Sequence, residues 1–203
     1  MPSDAEMPNQ PDGLDRTDFL MKYQPWLRLL ARLEMDQRFG KAKFGGKFSA
    51  SDVVQHTMAE AWQAWEQFRG ENEAQRMAWL RAVLGNQLGH LARRFKTKQR
   101  DVAREVSIDR SLSQSAERLG QLLPGDSSSP SQHAIANENQ ILLAEALERL
   151  PADYREVIVL RNLEELTHEE VAERMNRKPG AVRMLWMRAL AKLKEELDRA
   201  AGD

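Results

Sequence analysis

Seven basic side chains lie between Arg174 and Lys194 with no acidic residue among them: Arg174, Arg177, Lys178, Arg183, Arg188, Lys192 and Lys194. Guanidinium and ammonium groups in such a run neutralise phosphates, and an arginine can also fork onto a guanine edge. A second cluster, Arg93, Arg94, Lys96, Lys98, Arg100 and Arg104, is interrupted only by Asp101. The net charge is −1, so the total conceals both patches. Acid concentrates elsewhere, in the first 18 residues and in Glu164 to Glu173. Charge segregated in this way is the footprint of a nucleic-acid partner. Catalytic chemistry has no comparable support, because no Gly-rich phosphate loop or nucleophile elbow is present. The four His, at 56, 90, 133 and 168, have no metal-ligand spacing, and the absence of Cys excludes disulfides and thiolate-bound zinc. Neither an enzyme nor a cofactor is expected.

The C-terminal cluster needs a scaffold, and Thr167 to Leu185 supplies the pattern of one. Val171, Ala172, Met175, Val182 and Leu185 are spaced as a helix-turn-helix requires, with Ala172 small where the helices must cross. Thr167 and Glu170 form a capping box, Asn176 stands where the turn needs a left-handed residue, and Pro179 suits the first turn of the second helix. That geometry leaves Lys178, Gly180, Ala181, Arg183, Met184, Met187 and Arg188 on the exposed side. Recognition helices enter the major groove by their N-terminal residues, which selects Lys178, Ala181, Arg183 and Met184 for base or phosphate contact. Arg183 suits either role. The bland alternative is a helical hairpin whose charges only solubilise it, and the second basic cluster argues against that.

Over 203 residues the chain has room for one large domain or two small ones. Its richness in Ala, Leu, Glu, Arg, Gln and Met predicts an all-α fold. A first helix is expected over 17–33. After the Gly45-Gly46 break, Ser49 or Ser51 caps a second helix with Val54, Met58, Ala61, Trp62 and Trp65 on its apolar stripe. Phe68 to Asn72 reads as a loop, and a third helix starts near Glu73 with Met77, Leu80, Leu84, Leu88, Leu91 and Phe95 buried. On its other face, Asn86, His90 and Arg93 share a polar side with Trp79 a turn or two before them. Solvated face and binding face are both open readings there. The pattern decays from Ser107, and the Pro-, Gly- and Ser-rich stretch from Leu122 reads as a linker. Helical periodicity returns near Pro130 or Ser131, and Pro151 opens another helix. The expected organisation is a flexible tail over 1–16, a helical domain over 17–104, a flexible linker over 105–130 and a helix-turn-helix domain over 131–203. With no membrane-length apolar run, and a Pro-, Asp- and Asn-rich start instead of a signal peptide, a cytoplasmic protein without membrane insertion is expected.

With those features in place, the chain resembles a bacterial RNA polymerase sigma factor of the extracytoplasmic-function type, in group 4 of the sigma-70 family. Ser51-Asp-Val-Val-Gln-His-Thr-Met-Ala-Glu-Ala-Trp62 is similar to the family's region 2 helix, with Phe68-Arg-Gly and Ala78-Trp-Leu80 following it. Leu150 to Arg161 and the helix-turn-helix are similar to region 4. Ser51-Asp-Val-Val, Phe68-Arg-Gly and Gly180-Ala-Val-Arg-Met-Leu-Trp186 most resemble planctomycete members. The resemblance implies a non-catalytic initiation subunit whose partners are core RNA polymerase and promoter DNA, with an anti-sigma factor or other regulator as a further candidate. By position, Asp52, Gln55, His56, Ala59 and Trp62 would dock on the clamp coiled coil of the polymerase. Arg69, Gly70 and Asn72 would hold a flipped minus-10 base, beside a DNA surface of Trp79, Asn86, His90, Arg93, Arg94 and Lys96. Arg177, Lys178, Pro179, Gly180, Ala181, Arg183, Met184 and Arg188 would form the minus-35 contact. Two departures stand out: many relatives carry acid at Gln55-His56, and others carry Arg at Leu185 and Trp186. Trp186 is expected to be packed. The main alternative is a free-standing helix-turn-helix regulator that binds an operator as a dimer, which leaves the N-terminal basic patch unexplained.

Overall fold

The computed structural model describes residues 16–39, 48–70, 72–95, 102–121 and 130–202. The described residues are helical with no strand among them, as the composition predicts. Among the described residues eight α-helices follow in order: α1 (Arg16–Phe39), α2 (Ala50–Gln63), α3 (Glu73–Phe95), α4 (Val102–Gln121), α5 (Pro130–Arg149), α6 (Ala152–Ile158), α7 (His168–Met175) and α8 (Pro179–Gly202). The Gly45-Gly46 break, the tail over 1–15 and the linker stretch over 122–129 lie outside the described residues.

Helix α1 runs past the expected Leu33 to Phe39 despite Pro25 in its interior. Proline there removes one backbone donor and crowds the preceding turn. Burial offsets that cost, since Tyr23, Trp26, Leu27, Leu30 and Leu33 are all sealed from solvent. Of the two candidate caps for α2, Ser49 is the one used: its hydroxyl accepts from the Asp52 N–H at 3.2 Å, and the Asp52 carboxylate accepts from the Ser49 N–H at 2.7 Å. Donation from the Ser49 N–H, and then from the Ser49 hydroxyl at 2.8 Å, holds the Asp52 carboxyl below its ordinary range. The buried side of α2 is Val53, Val54, Thr57 and Ala61. Trp62, expected on that stripe, is 44% exposed, and Trp65 lies beyond the helix in a 3-10 turn over Trp65–Gln67.

The segment expected to lose structure from Ser107 is instead helical as far as Gln121. Ile108, Leu112, Ala116 and Leu119 form a buried stripe there, with Ser115 beside them. Ser, Gln and Arg dilute its hydrophobicity, but the four apolar positions keep helical spacing. Helix α5 packs on α1, α3, α4 and α8, so one continuous hydrophobic cluster links the N-terminal helices to the C-terminal ones. Arg28 of α1 closes that junction by donating from one nitrogen to both Glu148 oxygens on α5, at 2.8 and 2.9 Å.

Candidate nucleic-acid interface

The helix-turn-helix is α7 and α8. The Thr167 hydroxyl accepts from the Glu170 N–H at 3.2 Å while the Glu170 carboxylate accepts from the Thr167 N–H at 2.7 Å. This is the capping box read from the sequence, and it lowers the Glu170 carboxyl, first through the backbone bond and then through the Thr167 hydroxyl. Asn176 takes the left-handed conformation at φ 51° and ψ 51°, and its N–H returns to Ala172 and Glu173. Pro179 is the first residue of α8. Val171, Ala172 and Val182 are buried where the helices meet.

A π-helical turn over Val159–Leu163 precedes α7, marked by the Glu164 N–H donating to the Val159 carbonyl at 3.0 Å. The wider turn inserts a residue into the helical phase. Leu160 and Leu163 stay in the core, while Arg161 and Asn162 face α8. There the Trp186 indole N–H donates to the Asn162 side-chain carbonyl at 2.9 Å. His168 stands edge-on to the same indole at 5.5 Å, and the Arg161 guanidinium lies 6.0 Å from its ring centre. Trp186 is thus packed, as expected, and it fixes the rotation of α8. On the other side of the turn, Arg118 of α4 donates to the Leu163 carbonyl at 3.0 Å and pairs with Glu165 at 3.2 Å, where the chain reaches a φ of 57°.

With Val182, Trp186 and Ala189 turned inward, α8 and the turn before it present the predicted minus-35 set outward. Arg177, Lys178, Pro179, Gly180, Ala181, Arg183, Met184 and Arg188 are all exposed. They are not electrostatically equal. Arg177 is paired with Asp153, and Arg174 with Glu164 at 3.0 Å. Lys178, Arg183 and Arg188 have no ion pair among the described residues, so their charge is available to a polyanion. A Cβ at Gly180 would meet nothing within 4 Å, so packing within the chain does not demand glycine there.

The N-terminal set divides into two surfaces. Gln55, His56, Ala59 and Trp62 are exposed along α2, but the Asp52 carboxylate at the head of that line is committed to the Ser49 cap. Beside them Thr17, Leu20, Met21, Met58, Ala59 and Trp62 line an apolar groove of about 290 Å³. Its α1 wall was not anticipated, and the signal was available in Met21, an apolar residue off the buried stripe of its helix. The second surface is aromatic and basic. Phe68 stacks on Trp79 with ring centres 4.8 Å apart, and Trp65 meets Trp79 edge-on at 6.4 Å. A Cβ on Gly70 would come within 2.2 Å of the Phe68 ring, so glycine is what lets the loop fold over this stack. Asn86, His90, Arg93 and Arg94 are exposed along α3; His90 Nδ1 lies 3.1 Å from an Arg93 nitrogen, and the Arg94 guanidinium lies 5.3 Å from the Phe48 ring centre. Arg69 is exposed but its guanidinium folds back onto the Glu66 and Phe68 carbonyls. The Asn72 side chain is occupied as the cap of α3, accepting from the Gln75 N–H at 3.0 Å. Lys96 lies outside the described residues.

An all-helical chain with a helix-turn-helix and exposed cations on its second helix defines a class of DNA-binding proteins. Comparison with known proteins narrows the class. Residues 140–193 match the family model described as Sigma-70, region 4. The ECF RNA polymerase sigma factor SigD of Mycobacterium tuberculosis is 39% identical over 106 residues, which are 52% of this chain and 48% of that protein. The chain therefore spans about half the length of the SigD relatives it matches. The ECF RNA polymerase sigma-E factor of Haemophilus influenzae is 31% identical over 140 residues, 68% of this chain and 69% of the relative. The RNA polymerase sigma-E factor of Streptomyces antibioticus is 30% identical over 149 residues, 73% and 71% of the two chains. This chain belongs to the extracytoplasmic-function family of RNA polymerase sigma factors.

Proposed function

We propose that the protein is a promoter-specific initiation subunit without an active site of its own. It binds core RNA polymerase in the cytoplasm, opens the minus-10 region with residues of 17–104 and grips the minus-35 duplex with residues of 131–203. The observation that carries this reading is the pairing of two different nucleic-acid surfaces on one family member. Unpaired cations on α8 suit duplex phosphates and base edges. The Phe68–Trp79 stack with exposed Arg93 and Arg94 suits an unstacked base and the single strand that melting creates. Arg69, Gly70 and Asn72 border that stack and shape its entrance.

The exposed line of Gln55, His56, Ala59 and Trp62, with the apolar groove beside it, serves as the polymerase-docking surface. An anti-sigma factor or other regulator would act by covering one of these faces. The Ser51-Asp-Val-Val, Phe68-Arg-Gly and Gly180 to Trp186 motifs support a place among planctomycete-type members.

Substituting Arg183 separates the functions. Arg183→Ala is expected to weaken binding to an upstream promoter duplex about tenfold or more, within the roughly 1–3 kcal/mol of a bidentate base contact, while binding to core polymerase is unchanged. Fluorescence titrations of the full chain against each partner measure both. Equal loss in the two titrations contradicts the assignment.

A further inference from the structure

Among the described residues, the large apolar side chains most open to solvent are Met21, Trp62, Met184 and Met187. The first two belong to the groove on α1 and α2. The other two, 51% and 56% exposed, stand one turn apart on α8 among cations: Arg183 precedes Met184, and Arg188 follows Met187. Exposed thioethers of this size cost solvation free energy unless a partner covers them. Their neighbours define the partner's charge. Arg183 and Arg188 carry no ion pair among the described residues, so whatever covers the methionines is polyanionic. It must also offer small apolar groups between the charges. In the major groove of duplex DNA the only apolar groups are the C5-methyl groups of thymine.

Orientation supports the match. The Trp186 indole, bonded to Asn162 and flanked by His168, turns residues 182, 186 and 189 inward, so 184 and 187 must point out. Methionine is long and unbranched, and its polarisable sulfur adapts to a methyl group whose position it does not match rigidly.

We propose that Met184 and Met187 determine sequence specificity by covering thymine C5-methyl groups in the upstream promoter element, between phosphate or guanine contacts from Arg183 and Arg188. The inference rests on the reading of α8 as the minus-35 contact. It goes beyond that reading by naming the chemical group recognised and the residues that recognise it.

Deoxyuridine lacks only the methyl group, which makes it the probe. Start-site mapping locates the upstream element, and duplexes carrying it are made with deoxyuridine in place of thymidine on one strand and then the other. Binding of the full chain in complex with core polymerase is then measured. We expect about fourfold weaker binding for each methyl covered. Met184→Ala and Met187→Ala are expected to weaken binding to the thymidine duplex but not to the deoxyuridine duplex, and Met187→Leu should retain most of the discrimination. Circular dichroism melting confirms that each variant folds. Equal binding of both duplexes by the unaltered protein overturns the proposal, as does an undiminished uridine penalty in the alanine variants. Loss of polymerase affinity in those variants would assign the pair to a protein contact and overturn it too. If the unaltered protein shows no preference for the upstream element over a scrambled one, the minus-35 reading itself has failed.

Discussion

At the scale of single residues, the most informative positions are those whose chemistry the surrounding chain does not consume. Lys178, Arg183 and Arg188 are such positions, while Arg177 and Arg174 have acidic partners. Sequence alone treats all five alike, because Asp153 lies 24 residues from Arg177 and only the folded chain brings them together. Local chemistry is easier to read. Asn176 and the Thr167–Glu170 pair act within one turn of themselves, and both adopt the geometry their types predict. Gly70 lies between these cases. Its need for a missing side chain comes from the Phe68 ring two residues away, which is itself held by Trp79. Gly70→Ala must push Phe68 off the stack. The expected result is slower open-complex formation, read by permanganate reactivity of unpaired thymines, with upstream duplex binding unchanged. Normal melting in that variant would show that the stack has no part in opening DNA.

At the scale of elements, the helix-turn-helix depends on devices at its edges. The π-helical turn, the brace of Trp186 on Asn162 and the capping box all set how α8 is aimed. The capping box has a pH signature. Because the Glu170 carboxyl is held below its ordinary range, chiefly by the Thr167 N–H, the unfolded chain takes up a proton before the folded one does. Its contribution is complete above the ordinary glutamate range and is lost as pH falls through that range towards the depressed folded value. Thermal melts of the unaltered protein and Glu170→Gln should therefore differ at neutral pH and converge on acidification. A difference that grows in acid would reverse the sign and refute this origin. Helix α4 shows where sequence reading loses an element. Its Ser- and Gln-rich composition resembles a linker, but Ile108, Leu112, Ala116 and Leu119 retain helical spacing and bury together. Trp62 is the opposite case, an aromatic residue assigned to a stripe by spacing yet left outside by the packing of Val54 and Ala61. A wide apolar stripe does not specify which of its edges is covered.

At the scale of the whole molecule, the N-terminal and C-terminal helices share one hydrophobic cluster through α5, and the forked contact of Arg28 with Glu148 lies at that seam. Both side chains are about three-quarters buried, so the pair is screened less than a surface pair. Arg28→Ala and Glu148→Ala should each lower thermal stability, and a double-mutant cycle should return a coupling of about 1 kcal/mol. Strict additivity would mean that the seam is held by apolar contact alone. The proposed division into promoter-opening and promoter-gripping parts rests on two basic clusters separated in sequence, but the packing between the helices that carry them depends on long-range contacts that no local pattern encodes. In the proposed function this chain confers promoter choice on RNA polymerase. Run-off transcription of genomic fragments by core polymerase, with and without the purified protein, tests it most directly. Discrete start sites that appear only when the protein is added, with related sequences upstream of each, are the predicted result. A transcript pattern identical to that of core polymerase alone would contradict the account.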